Sequence, residues 1–317
     1  MAYDVAGDIR LDPRVKAFLA YLGPAEPDGD VDSRETLLAE ANSEEARAGA
    51  AAFNQLLEQF DPEQAAPPAG LRTHTEKVIS QPDGNTINLQ VIRPDNDEAL
   101  PCVYYIHGGG MGYLSCFDAM FQGWGKLIAA NGVAVVMVDF RNAVVPSSVP
   151  EVAPFPAGLN DCVSGLKWVI ANAARLAIDA GQVIVAGESD GGNLTPATGL
   201  KLKRDGELGL ISGLYAMAPF IKGEWPTADC PSSTENNGIF MDVHTNRGRS
   251  ATASTPSPTA TRWPGPRSRR RPTSRASRPP SSASTNATRC ATRASTSTGC
   301  CSRPASRPAA ARSWAPC

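Results

Sequence analysis

The last fifth of the chain lacks the residues from which a folded core is built. Of the 67 residues from 251 to 317, 58 are Ala, Arg, Ser, Thr or Pro, and none is Asp, Glu, Lys, His, Val, Ile, Leu, Met, Phe or Tyr. Such a segment cannot bury enough apolar surface to offset the entropy that is lost on ordering it. We therefore predict that residues 249–317 form an aberrant tail, either disordered or encoded out of frame.

The sequence also lacks the patterns that are typical of membrane proteins, secreted proteins and zinc-binding proteins. No apolar run reaches the length of a membrane span, and no basic and apolar leader opens the chain, so we expect a cytoplasmic protein that does not act on membranes. The eight cysteines show neither C-x-x-C spacing nor Cys/His clusters. This excludes the usual zinc motifs, and we expect no metal and no cofactor.

Charge is divided unevenly between the body and the tail. The formal net charge is −2, and the residues after position 250 contain twelve arginines and no acid, so the first 250 residues carry −14. An acidic body argues against nucleic acid as the partner of the folded part. The arginine-rich tail leaves open a protein that binds polyanions, but only Trp263 and Trp314 could serve as stacking platforms there.

The body begins with helical patterns and continues with alternating strands and helices. Helices are predicted over residues 12–22 and 33–60, and a β-hairpin around the Asp-Gly turn at 82–85. Continuous apolar runs then predict buried strands, separated by helices, over residues 102–107, 133–140, 182–187 and 212–219, with the helices over 156–178 and 191–204. This alternation predicts an α/β fold with a mostly parallel central sheet covered by helices on both faces.

A G-x-S-x-G motif lies where a predicted strand ends and a helix begins, at Gly187, Glu188, Ser189, Asp190 and Gly191. A turn this tight needs small residues on both sides of the serine, and it presents the hydroxyl at a helix N-terminus. The motif therefore indicates Ser189 as a nucleophile. A glycine-rich turn with a capping serine is the structural alternative.

A run of three glycines directly follows the strand at 102–107, as His107, Gly108, Gly109 and Gly110. Consecutive glycines let backbone N–H groups approach a reacting carbonyl and stabilise the negative charge that develops on its oxygen. A flexible loop or a phosphate cradle is the alternative, but the spacing of phosphate-binding loops is absent. His107 is expected to orient this loop rather than to act as a base.

The two motifs, in this order and both at strand ends, make residues 72–248 resemble the α/β-hydrolase fold of the hormone-sensitive-lipase group of serine esterases. Residues 138–143, 154–158, 161–162 and 187–193 carry the resemblance. It implies a catalytic core over 72–248 and an N-terminal helical lid over 1–71. It also implies that Ser189 is the nucleophile. The oxyanion hole would be formed by the backbone amides of Gly108, Gly109, Gly110 and Asp190.

The sequence departs from this group at two places. Asp190 stands where the group usually has Ala or Gly, and a carboxylate there would repel an oxyanion unless it points away. The acid and the histidine of a catalytic triad should follow the nucleophile in the chain, but His244 is the one histidine after Ser189. We expect a surface histidine there, and Asp242 is too near to it to orient it.

The genetic code suggests that the catalytic acid is encoded in a different reading frame. The group's acid segment resembles Asn-Glu-Cys-Asp-Pro-Leu-Arg-Asp-Glu-Gly, and a GC-rich gene for it, read one base later, encodes residues 285–294 of this chain. In the same way, Asn-Pro-Leu-Ala-Trp-Pro-Gly becomes residues 261–266. We therefore expect a frameshift near residue 248. The acid codon would then overlap Thr288, and the histidine codon would lie at or beyond residue 317.

These patterns predict a serine carboxylesterase or lactonase that forms an acyl-enzyme on small, apolar acyl substrates. As written, the chain lacks the acid and base of its triad in frame, so we expect impaired turnover. The alternative is a catalytically inactive hydrolase-fold protein that binds a ligand in the same pocket. The expected partner is a small-molecule ester, without nucleic acid or membrane, and the protein could form a homo-oligomer.

Overall fold

A computed structural model describes residues 4–22, 29–60, 63, 65–223 and 225–253 of the chain. Most of the predicted tail, including Thr288, Trp263 and Trp314, lies outside the described residues. Within them, no helix is both long and apolar enough to cross a membrane. The fold below is that of the described residues.

A six-stranded mixed sheet forms the centre of the fold, with the strand order β1-β2-β4-β3-β5-β6. The first two strands form the predicted hairpin, and β2 pairs antiparallel with β4, whereas the β4-β3-β5-β6 part is parallel. Its strands are β1 (Leu71–Ile79), β2 (Thr86–Pro94), β3 (Leu100–Ile106), β4 (Ala134–Asp139), β5 (Ile178–Glu188) and β6 (Gly213–Met217). The mostly parallel α/β architecture predicted from the sequence is confirmed.

Nine α-helices accompany the sheet within the described residues. They are α1 (Pro13–Leu22), α2 (Arg34–Ala41), α3 (Glu44–Leu57), α4 (Ala119–Ala129), α5 (Ala157–Ala171), α6 (Ala173–Leu176), α7 (Ser189–Asp205), α8 (Ser232–Glu235) and α9 (Arg247–Thr252). The buried side chains form two main clusters. One includes Tyr104, Leu166 of α5 and Leu202 of α7, and the other includes Tyr105 and Phe121 of α4. Since neighbouring strand residues point to opposite faces, both faces of the sheet are covered.

Two helical predictions are wrong in their extent, and the structure continues past the predicted start of the tail. The predicted helix over 33–60 is broken into α2 and α3, because the Ser43 hydroxyl accepts a hydrogen bond from Ala46 N and starts a new helix there. The predicted helix over 156–178 is divided at Asn172 into α5 and α6, and it ends at Leu176, after which Ala177 takes left-handed backbone angles; the carbonyls of Leu176 and Ala177 accept hydrogen bonds from Arg93. Helix α9 extends to Thr252, into the predicted tail, where Ala251 packs against Leu37 of α2.

The N-terminal helices make a specific contact with the body through α2. Leu37 belongs to a small buried cluster with Val31, Ala143, Val144 and Ala251, and Arg34 donates a hydrogen bond of 2.7 Å to the Ala143 carbonyl. This contact fixes α2 on the loop after β4. That residues 1–71 act as a lid remains a prediction.

A buried ion pair joins the hairpin, β4 and α5. The Asp161 carboxylate is fully buried and accepts hydrogen bonds from the Arg141 Nε at 2.8 Å and from the Ser80 hydroxyl at 2.6 Å. The backbone N–H of Arg141 donates to the same carboxylate at 3.0 Å. Three segments that are distant in sequence therefore depend on one side chain of α5.

We predict that Asp161→Ala lowers the free energy of unfolding by about 3 kcal/mol, because the buried Arg141 guanidinium loses two hydrogen bonds and keeps the one to the partly exposed Asp83. Urea denaturation followed by circular dichroism measures the change. The control is Asp97→Ala, which removes an exposed partner of Arg72 and should change stability by less than about 1 kcal/mol. Equal effects of the two substitutions would contradict the prediction.

The sheet ends at β6, which has no further strand beside it within the described residues. An edge strand offers unpaired N–H and C=O groups to other chains. On β6 the side chain of Leu214 would contact any Cβ added at Gly199 of α7, whereas Tyr215 on the opposite face is 59% exposed. This edge is therefore a candidate surface for self-association.

Tyr215→Lys should reduce self-association, because a lysine on an edge strand disfavours the approach of a second strand. Sedimentation velocity over a range of protein concentrations measures the effect. Tyr21→Lys is the matched control, since Tyr21 has the same exposed fraction of 59% but belongs to helix α1 and donates its hydroxyl to Gln59. Equal association of both variants and the parent chain would show that the β6 edge is not involved.

Candidate active site

Strand pairing brings the two sequence motifs together. Strands β3 and β5 are parallel neighbours, and Ile106 at the end of β3 pairs with Gly187 near the end of β5. The glycine run follows β3 directly and Ser189 follows β5 directly, so both motifs lie at the same carboxyl edge of the sheet. This is the edge at which open α/β sheets place their ligands.

Ser189 occupies the sharp turn from β5 into α7. Its φ of 57° is in the left-handed region, which non-glycine residues adopt rarely and at a cost of about 1–3 kcal/mol. The Ser189 carbonyl accepts a hydrogen bond of 2.9 Å from Phe220 N, and the Asn193 side chain donates to the Phe220 carbonyl at 2.6 Å. The segment after β6 therefore braces the turn, and the Ser189 side chain is half-buried.

Glycines on both sides of the serine are required by contacts with the backbone. A Cβ at Gly187 would lie 2.4 Å from the Gly191 carbonyl oxygen, and a Cβ at Gly191 would lie 2.2 Å from the Ile106 carbonyl oxygen. A Cβ at Gly192 would lie 2.7 Å from the Met217 carbonyl oxygen. Since backbone cannot move aside cheaply, these glycines let α7 start against the ends of both neighbouring strands.

The glycine loop has a backbone that L side chains adopt rarely. Gly109 has a φ of 122° and Gly110 a φ of 65°. A Cβ at Gly109 would lie 2.2 Å from the Tyr113 carbonyl oxygen, whereas the corresponding position at Gly110 faces open space. Packing therefore requires Gly109, and the positive φ favours a glycine at both positions.

Both acids beside Ser189 bind the amides of this loop. Glu188 Oε1 accepts a hydrogen bond of 3.0 Å from Gly108 N. The Asp190 carboxylate accepts hydrogen bonds of 2.6 Å from Gly110 N and from Met111 N, one on each oxygen. The resemblance predicts that all three glycine amides surround a substrate oxygen. In this structure the amides of Gly108 and Gly110 are instead engaged by carboxylates, and Gly109 N donates to neither.

Burial changes the acidity of the two carboxylates. Asp190 is 2% exposed, and this burial raises its pKa, while the amides of Met111 and Gly110 act in the opposite direction. Burial likewise raises the pKa of Glu188. The Asp190 side chain points away from solvent but towards the amides of the glycine loop.

His107 lies beneath the glycine loop and is fully buried. Its ring stacks on Phe140 with the centroids 4.4 Å apart, and its Nδ1 lies 2.7 Å from the Gly108 carbonyl oxygen. The ring Nε2 is 3.7 Å from Asp139 Oδ1. This arrangement suits a residue that orients the loop.

Neither of the other two histidines is bonded to Ser189. The ring Nε2 of His244 is 2.8 Å from the Ser233 carbonyl oxygen, and its side chain is exposed. Asp242 accepts a hydrogen bond from the backbone N–H of His244 rather than from its ring. His74 lies on β1 and pairs with Glu76.

Asp139, at the end of β4, supports the site but is not identified by sequence reasoning. Its carboxylate is fully buried and accepts hydrogen bonds from the Ser115 hydroxyl at 2.7 Å, from Cys116 N at 3.1 Å and from Ser148 N at 2.8 Å. It thereby ties together the segments after the glycine loop and after β4. Its position at the carboxyl end of a buried strand is the signal that could have identified it.

The described residues contain no group of three His, Cys, Asp or Glu side chains that could hold a metal ion. The four cysteines of the body, Cys102, Cys116, Cys162 and Cys230, are buried free thiols. Burial raises the pKa of the Cys102 thiol to about 12. Cys102 is therefore a packing residue rather than a reactive thiol.

Comparisons with known proteins agree with this geometry. The sequence profile of the alpha/beta hydrolase fold family matches residues 103–263. The structure is similar to that of esterase Est22, with a TM-score of 0.78, 55% sequence identity, and coverage of 80% of this chain and 73% of that one. It is also similar to brefeldin A esterase, a bacterial homologue of human hormone-sensitive lipase, with a TM-score of 0.63 and 35% identity over 78% of this chain and 68% of that one.

Among curated proteins, carboxylesterase NlhH of Mycobacterium tuberculosis is 41% identical over 108 residues, which are 33% of this chain and 30% of that protein. The chain spans less than half the length of these curated relatives. The resemblance to esterases of the hormone-sensitive-lipase group, indicated by the motifs, is confirmed by these matches. The chain therefore belongs to the α/β-hydrolase fold family.

Proposed function

We propose that the protein is a carboxylic ester hydrolase in which Ser189 is the nucleophile. The observation that carries the proposal is the position of Ser189, half-buried in a left-handed turn between β5 and α7, directly beside the glycine loop. The esterase relatives support the same chemistry. The substrate class is a small ester with an apolar acyl group, and no cofactor takes part.

The reaction proceeds through an acyl-enzyme. The Ser189 oxygen attacks the ester carbonyl carbon, the alcohol leaves, and water then hydrolyses the acyl-serine. The negative charge on the former carbonyl oxygen is stabilised by backbone N–H groups. One candidate donor is Gly109 N, the glycine amide of the loop that is not bonded to a carboxylate. The other is Asp190 N, which belongs to the first turn of α7, where backbone amides lack partners within the helix.

Serine needs a base to take its proton, and the three histidines of the chain are engaged elsewhere. The proposal therefore assigns the acid and the base to the reading frame that is displaced after residue 248. In this arrangement residues 72–248 are the incomplete catalytic core and residues 1–71 are its lid. The codon of the missing acid would overlap the codon of Thr288.

A protein that binds esters without hydrolysing them is the second candidate. Two observations favour it: the histidines are engaged away from Ser189, and the Asp190 carboxylate occupies two loop amides. The two candidates differ in whether Ser189 reacts with an electrophile.

We predict that excess alkyl fluorophosphonate at alkaline pH labels the chain at Ser189, slowly because no base takes the serine proton: the serine oxygen bonds to phosphorus, fluoride leaves, and the proton passes to solvent. Intact-mass spectrometry should show one adduct on the parent chain and none on Ser189→Ala. Ser212→Ala is the matched control and should be labelled like the parent, since Ser212 lies just before β6, at the opposite edge of the sheet.

Labelling that persists in Ser189→Ala would exclude Ser189 as the nucleophile. A parent chain that is never labelled, but still binds a short-chain ester, would favour the second candidate. The circular dichroism spectra of all three proteins should agree, so that a loss of labelling is not mistaken for unfolding.

We further predict that restoring the displaced frame after residue 248 raises kcat on a short-chain nitrophenyl ester by about 10⁴-fold or more, the scale of losing a functional general base. The gain should disappear when Ser189→Ala is introduced into the restored chain. A restored chain that is no faster than the parent chain would contradict the frameshift hypothesis while leaving the labelling of Ser189 unaffected.

A further inference from the structure

The Asp190 carboxylate is bound like an anionic ligand within its own active site. Its two oxygens accept hydrogen bonds of 2.6 Å from the consecutive amides of Gly110 and Met111. Consecutive backbone N–H groups that converge on one side of a turn form a binding place for anions. A buried internal carboxylate therefore fills a position that an external anion could otherwise occupy.

The backbone of the loop is shaped around this contact. Gly110 and Met111 both have left-handed φ angles, of 65° and 57°, and Met111 is not a glycine. Such a conformation persists at a non-glycine residue when surrounding contacts fix it. Two contacts fix Met111: its N–H donates to Asp190, and its carbonyl accepts a hydrogen bond of 2.8 Å from Ala143 N.

The contact competes with catalysis on electrostatic grounds. Under the proposed function, an oxyanion develops beside the amides of the glycine loop, where a donor contributes only if it is free to turn to that oxygen. Gly110 N is already bonded to a carboxylate, and Cβ-sized space beside Gly110 is open. A negative charge held there also repels a second negative charge nearby.

We propose that the Asp190 side chain is an internal occupant of the oxyanion hole, which withholds the Gly110 amide from the substrate and weakens the binding of tetrahedral anions at Ser189. This inference rests on the proposed function, because it requires Ser189 to be the nucleophile. Asp190 is thus a positioning residue with an inhibitory effect. Its burial raises its pKa, which eases the neutralisation that would release the amides.

Butylboronic acid tests this directly, because it gives a tetrahedral anion without needing the missing histidine for turnover. The Ser189 oxygen forms a bond to boron, and the hydroxyl proton leaves to solvent, so that a boronate with one negative charge results. Isothermal titration calorimetry and ¹¹B NMR on the full chain measure its affinity. Asp190→Ala should bind it about tenfold or more tightly than the parent, since one oxyanion donor is worth about 10²–10³ in rate.

The matched control is Asp205→Ala, which removes an acid from the exposed end of the same helix and should leave the affinity unchanged. Asp190→Asn is the second variant, for the case that Asp190→Ala does not fold. It keeps the size of the side chain but removes the charge, and it should also tighten binding. If Asp190 serves only to hold the loop in place, both substitutions should instead weaken boronate binding. That result would overturn the inference.

Ser189→Ala, alone and combined with Asp190→Ala, separates this inference from the proposed function. Boronate binding that survives the loss of Ser189, or that is absent from every variant, contradicts the proposed function and the inference with it. Binding that requires Ser189 but is no tighter in the Asp190 variants contradicts the inference alone. Binding that is undetectable in the parent and requires Ser189 in Asp190→Ala supports both.

Discussion

The site depends on one close approach between backbone segments. Helix α7 begins so near the end of β3 that any Cβ at Gly191 would lie 2.2 Å from the Ile106 carbonyl oxygen and 2.5 Å from that of His107. Parallel pairing of Ile106 with Gly187 fixes the two strand ends side by side. The left-handed turn at Ser189 and the shape of the glycine loop both follow from this contact, because neither segment has room to relax.

Electrostatic interactions then determine which groups the amides of the glycine loop bind. A carboxylate at the first turn of a helix is favoured by the helix dipole, and Asp190 lies in the first turn of α7. Burial opposes its charge, and the hydrogen bonds from the amides of Gly110 and Met111 compensate for that. Glu188, on the other side of Ser189 in the sequence, likewise accepts a hydrogen bond from the Gly108 amide. Two acids adjacent in sequence to Ser189 thus stabilise the loop across from it.

Sequence reasoning identified what local patterns determine. The strand-turn-helix placement of Ser189 and the glycine run at the end of β3 are readable because apolar runs and glycines mark them. The break between α2 and α3 was missed because one cap, at Ser43, outweighed a continuous helical pattern. The orientation of Asp190 was left open, since its partners lie 79 and 80 residues earlier in the chain. Asp139 was missed for the same reason.

The part of the proposed site that the structure describes is held by contacts that do not require a catalytic acid or base. Its turn is braced by Phe220 and Asn193, its loop by His107 and the two flanking acids, and its glycines by the ends of β3 and β6. Every one of these residues precedes the composition break near residue 248. Because assembly of the turn at Ser189 and of the glycine loop needs nothing beyond Phe220, binding of an acyl group and activation of Ser189 would, under the proposed function, be separable properties of this chain. Under the proposed function, a defect in proton transfer would therefore leave the place where the acyl group binds undistorted.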